Sequence, residues 1–110
     1  MPEGGGKHDG VMNHAEDKIA VRQQLGARIR DKRKSQGLSQ RKLALMIGLD
    51  RSYISGVENG KRNVSFDNVV KIACGLDITL YELMWGIEIP SQKSTYTYYH
   101  AKDARLKGTR

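Results

Sequence analysis

Apolar positions along the middle of this chain recur every three or four residues, the spacing of helices rather than strands. Between Lys18 and Gln36, Ile19, Val21, Leu25 and Ile29 fall mostly on this period, with basic residues on the other faces. Gly37 stands where a left-handed residue ends such a helix. Ser39 is placed to cap a second helix, barely two turns long, in which Leu43, Ala44 and Ile47 share a face and Gly48 stops the run. Its capping box is incomplete, because Lys42 stands where Glu or Gln would reach back. Asp50 can cap a third helix from Arg51 to Glu58, with Ile54 and Val57 facing inward and Asn59-Gly60 as its exit. Ser65 opens a fourth, striped by Phe66, Val69, Ile72, Ala73 and Leu76. Thr79 to Glu82 forms a capping box for a fifth, with Leu80 and Leu83 inside.

The flanks read differently. Residues 1–17 are rich in Gly and charge and have almost nothing to bury, the composition of a disordered arm. After Trp85 the pattern breaks down: "GIEIP" and "STYTYYHA" alternate weakly, so an ordered strand and a disordered tail both stay open. The expected division is an N-terminal arm at 1–17, one helical domain at 18–89 and a basic tail at 90–110. A chain of 110 residues supports one such domain, not two.

Charge narrows the choice of partner. Lys and Arg number 19 against 12 Asp and Glu, a net of +7, and both the helical domain and the tail are basic. That balance suits a polyanion. The single cysteine, Cys74, excludes an internal disulfide and any Cys-based zinc cage, and is expected as a small buried hydrophobe. His8, His14 and His100 are scattered, so no metal or cofactor site is expected. No grouping of Asp, Glu, Ser and His looks catalytic, which argues against an enzyme. Without a membrane-length apolar run or a signal pattern, a soluble cytoplasmic protein with no membrane partner is expected.

The second and third helices are short, share a core face and are joined by Gly48-Leu49-Asp50. That is the arrangement of a helix-turn-helix, whose second helix enters the major groove. The string "GLSQRKLALMIGLDRSYISGVENGKRNVSFDNVVKIACGLDITLYELM" resembles the phage-repressor and Cro-like (XRE-type) helix-turn-helix family. The carriers are Leu38-Ser39-Gln40, Leu43-Ala44, Gly48, Ile54-Ser55, Glu58-Asn59-Gly60 and Ile72-Ala73 with Leu76. Within that family, "LDRSYISGVENGKRN" is similar to the controller proteins of restriction–modification systems. The resemblance covers residues 22–84 and implies an all-α, five-helix, lambda-repressor-like DNA-binding domain.

It also implies roles. Arg51, Ser52, Tyr53 and Ser55 stand where the family reads bases, and Arg is the commonest reader of guanine O6 and N7. Tyr53 has a packing alternative as a half-buried ring beside the second helix. Gly56 offers no reader; either it leaves room for a close neighbour or it reflects drift. Ser39, Gln40 and Arg41 at the start of the second helix are expected on phosphates, as are Asn59, Lys61, Arg62 and Asn63 after the third. Glu58 on the recognition helix would repel DNA if unpaired, so the resemblance implies a partly buried bridge to Arg33. Met84, Trp85, Ile87 and Ile89 form an apolar cluster, read as a two-fold dimer contact ahead of a plug for the core. Together these describe a dimeric regulator that binds an inverted repeat in double-stranded DNA. The competing reading is an antitoxin-like or scaffold module whose C-terminal tail binds a protein partner.

Overall fold

The computed structural model describes residues 14–92. Five helices follow in order: α1 (Ala15–Ser35), α2 (Gln40–Ile47), α3 (Arg51–Glu58), α4 (Phe66–Leu76) and α5 (Leu80–Met84), then a 3-10 turn at Pro90–Gln92. No strand occurs among the described residues. The arm at 1–13 and the tail at 93–110, including "STYTYYHA" and the proposed partner-binding tail, lie outside them.

Helix starts follow the capping chemistry closely. The hydroxyls of Ser39, Ser65 and Thr79 accept the backbone N–H of Lys42, Asn68 and Glu82 at 2.9, 3.1 and 2.9 Å. Asp50 occupies the N-cap of α3 but makes no side-chain cap bond. The Glu82 carboxylate takes the Lys32 ammonium at 2.9 Å, so the expected box at Thr79 is only half made. Gly48 turns the chain between α2 and α3 with φ at 72°, a backbone angle that suits glycine.

α1 begins at Ala15, three residues earlier than the apolar pattern implied. Glu16 and Asp17 lie in its first turn, where acidic groups favour the positive end of the helix dipole, and His14 bonds Asp17 at 3.0 Å. The core is built from Leu25 and Ile29 of α1, Leu43 and Ala44 of α2, Ile54 and Val57 of α3, four residues of α4, and Leu83 of α5. Three expected core residues are exposed instead: Ile19, Phe66 and Leu80. Each sits in the first turns of its helix, in phase with the stripe but past the edge of what the other helices cover. Cys74 is also exposed, because it lies on the opposite face of α4 from Val69, Ile72 and Leu76.

The segment after Trp85 runs back along α1. The Gln24 amide pairs both ways with the Glu88 backbone, donating to its carbonyl at 2.8 Å and accepting its N–H at 2.9 Å. Asp17 takes the Ser91 N–H and hydroxyl at 3.1 and 2.7 Å. Contact with α1 therefore continues past 89 to Ser91. No described helix is long and apolar enough to cross a membrane.

Candidate nucleic-acid interface

α3 is an eight-residue helix held from beneath and open above. Ile54, Val57 and Glu58 point inward and are almost fully buried. Arg51 and Ser52 are exposed, while Tyr53, Ser55 and Gly56 are half-buried. Helical geometry puts Ser52, Ser55, Gly56 and Asn59 on the side away from Ile54 and Val57.

The acid on this helix is fully engaged. Arg33 Nε and Nη2 donate to the two Glu58 carboxylate oxygens at 2.6 and 2.9 Å, a bidentate pair. Arg33 Nη1 donates to the Leu38 carbonyl at 2.7 Å. Gln40 Nε2 donates to Glu58 Oε1 at 3.0 Å, and Arg30 Nε lies 3.6 Å from the same oxygen. Burial alone would raise the Glu58 pKa; hydrogen bonds from Arg33 and Gln40, with the charges of Arg33 and Arg30, overcome it and hold the carboxyl below its ordinary value. The bond to Glu58 raises the Arg33 pKa against the opposing effect of burial. One carboxylate thus joins α1, the start of α2 and the end of α3, and the outer face of α3 carries no unpaired negative charge.

Around α3, the expected phosphate-binding residues keep donors to spare. Gln40 uses one amide hydrogen on Glu58, leaving the other and its place at the start of α2. Ser39 uses its oxygen to accept the Lys42 N–H, which leaves its hydroxyl hydrogen. Asn59 accepts from Arg30 Nη2 at 3.0 Å through Oδ1, so its NH2 group remains available. Arg41, Lys61, Arg62 and Asn63 are exposed.

Two features complete the picture of this face. The close neighbour for which Gly56 leaves room is Arg62 of the same chain. Tyr53 is half-buried and turned toward α4, where Asn68 Nδ2 donates to its hydroxyl at 3.0 Å. Arg30, Asn68 and the inward bond of Gln40 were not singled out from the sequence. Arg30 carried a signal, lying one turn before Arg33 on α1; Asn68 carried none, because its partner is 15 residues away on another helix.

The apolar cluster divides. Ile87 packs against the core, whereas Met84, Trp85 and Ile89 are about 40% exposed, at 42, 38 and 40%. Met84 and Ile89 line a groove of about 620 Å³ together with Val21, Val64 and Phe66. No group of three or more His, Cys, Asp or Glu residues suited to a metal exists among the described residues.

Comparison with known proteins agrees with this geometry. Residues 29–83 match the model of a helix-turn-helix family. The chain is 48% identical over 69 residues to the control protein C.MunI of Mycoplasma sp, covering 62% of this chain and 93% of that protein. It is similar to the crystal structure of the restriction–modification controller protein C.AhdI from Aeromonas hydrophila, with a TM-score of 0.55 and 52% identity, covering 56% of this chain and 94% of the other. A further similar structure is the controller protein C.Esp1396I, a tetramer in complex with its natural 35 base-pair operator, at a TM-score of 0.55 and 30% identity over 58% of this chain and 88% of that one.

Proposed function

The chain belongs to the helix-turn-helix family, and on that footing we propose that it is a sequence-specific transcriptional regulator that binds an inverted-repeat operator as a dimer. The observation that carries this reading is the recognition helix itself. Its outer face presents Arg51, Ser52 and Ser55, its acid is neutralised from within, and donors from α2 and the Asn59–Asn63 loop flank it. Arg51 reads guanine, with Ser52, Ser55 and the edge of Tyr53 beside it. Ser39, Gln40, Arg41, Asn59, Lys61, Arg62 and Asn63 grip the backbone and fix the register. Met84, Trp85 and Ile89 form the two-fold contact, and half-sites lie about one helical turn, roughly 34 Å, apart. The protein acts in the cytoplasm as a binding protein, without a cofactor. Operator binding by C.Esp1396I, a tetramer on its DNA, supports the reading.

Selection of sites from random duplex DNA tests it, run beside Arg51→Ala. The wild type should enrich an inverted repeat, and the variant should lose one guanine preference per half-site, about 1–3 kcal/mol of discrimination. A wild type that enriches nothing contradicts the reading.

Salt supplies a separate check on the phosphate set. With Arg41, Lys61 and Arg62 on each protomer of a dimer, affinity should fall on the order of a thousand-fold between about 50 and 200 mM salt. A flat titration would remove these three residues from the interface.

A further inference from the structure

Arg62 does not project straight into solvent from its loop. Its side chain doubles back along α3, with the stem passing over Gly56 and the guanidinium carbon 5.0 Å from the centroid of the Tyr53 ring. Tyr53 and Gly56 are three residues apart on one helix and hence neighbours on its surface, so a chain crossing one reaches the other. Only glycine leaves the path open: a Cβ at position 56 would stand 2.6 Å from Arg62 Cγ. The ring beneath the guanidinium is itself fixed, through the bond from Asn68 Nδ2 to the Tyr53 hydroxyl at 3.0 Å. The cap of α4 uses the Asn68 backbone N–H, which bonds Ser65 Oγ at 3.1 Å, and makes no demand on the Asn68 side chain.

We propose that Asn68 and Gly56 are positioning residues for sequence recognition: one anchors the Tyr53 ring, the other clears the track, and together they aim the Arg62 guanidinium at base edges. The inference rests on the DNA-binding reading and changes the role of Arg62 within it. A loosely held arginine binds any phosphate it meets. Reading guanine needs the planar fork presented in a set orientation to two acceptors, and stacking on a fixed ring restricts that orientation. Arg62 then adds a second specified base pair to the one read by Arg51, on a helix whose position 56 has no side chain of its own.

The test is site selection with the full chain for the wild type, Arg62→Ala, Gly56→Ala, Asn68→Ala, Tyr53→Phe and the Asn68→Ala/Tyr53→Phe double. Affinity for one scrambled duplex and thermal melting are measured alongside. Arg62→Ala and Gly56→Ala should lose preference at the same base pair, different from the one lost with Arg51→Ala. Asn68→Ala and Tyr53→Phe should each weaken that preference about five- to ten-fold, within the range of a single bidentate contact. The double should lose no more than either single, because both remove one bond. For Asn68→Ala and Gly56→Ala, affinity for the scrambled duplex should stay within about two-fold, a readout that separates aim from general damage, whereas Arg62→Ala should lower it through the lost charge. The thermal melt of Gly56→Ala guards against a folding artefact, since the new Cβ would meet Arg62 Cγ at 2.6 Å and the stem must rotate away. Unchanged selection profiles in Asn68→Ala and Tyr53→Phe, or losses that multiply in the double, would overturn the proposal while leaving the regulator reading intact. A wild type that enriches no sequence would remove both.

Discussion

Glu58→Ala should lower folding stability by about 3–5 kcal/mol, the expected effect of stripping one partner from a buried ion pair. The loss is large against the roughly 5–15 kcal/mol that separates a typical native domain from its unfolded chain. Arg33 is left buried with two donors aimed at nothing, and Gln40 and Arg30 lose the same acceptor. The penalty therefore comes from the cations stranded by the change more than from the pair's own worth. Replacing both partners, as Arg33→Met with Glu58→Leu, should destabilise less than Glu58→Ala alone. Urea denaturation of the three variants measures this, and a double as unstable as the sum of its singles would refute it. The same carboxylate sets an acid limit. Its folded-state pKa lies below the ordinary glutamate value of about 4.3. The pair's contribution is thus fully present above that value and is lost as pH falls through the lowered folded one. The Glu58→Ala protein, lacking the group, should show a flatter stability profile on the acid side.

The pair also shows what a sequence discloses and what it withholds. The helices were legible because their information is local: cap hydroxyls at Ser39, Ser65 and Thr79, stop glycines at 37 and 48, and apolar residues on one period. The helix-turn-helix was legible for the same reason. Pairing of Arg33 with Glu58 rested on family resemblance, since 25 residues separate them and no spacing rule links α1 to the end of α3. Contacts of this kind account for most of what was missed. After Trp85 a strand and a disordered tail both stayed open, because the partner that fixes the backbone there, the Gln24 side chain, lies 64 residues away on α1. Ile19, Phe66 and Leu80 satisfied the period of their helices, but a period gives direction and not coverage. Arg62 was placed on phosphate by family resemblance and charge; its path over α3 depends on the missing Cβ at 56 and on a hydroxyl anchored from α4. Local pattern specified the recognition helix. Its surroundings, which govern how it reads, are set by contacts from α1, α2, the loop that follows it and α4.

Gly26→Ala should destabilise the domain by about 1–2 kcal/mol, although a glycine inside a helix ordinarily reads as a liability. Alanine would gain about 1 kcal/mol of helix propensity in α1. Its Cβ, however, would lie 2.4 Å from the carbonyl oxygens of both Val57 and Glu58. These atoms are backbone at the closing end of α3, so no rotamer change relieves the clash. α1 and α3 must separate by roughly an ångström to restore contact distance, and overpacking of that kind costs about 1–3 kcal/mol and sometimes more. The same movement pulls on the Arg33–Glu58 pair and on the Arg30 bond to the Glu58 carbonyl at 3.3 Å, so the clash is expected to outweigh the propensity gain. Gly56→Ala should cost less, because the obstacle there is the Arg62 stem, which can rotate away, and not backbone. Urea denaturation of the two variants provides the comparison. Equal stabilisation by both would mean that α1 and α3 pack with slack, and that the recognition helix is not seated on the backbone of α1 as the structure has it. A larger loss at 26 than at 56 would locate the rigid seat of α3 beneath it, and leave its outer face free to be tuned for DNA.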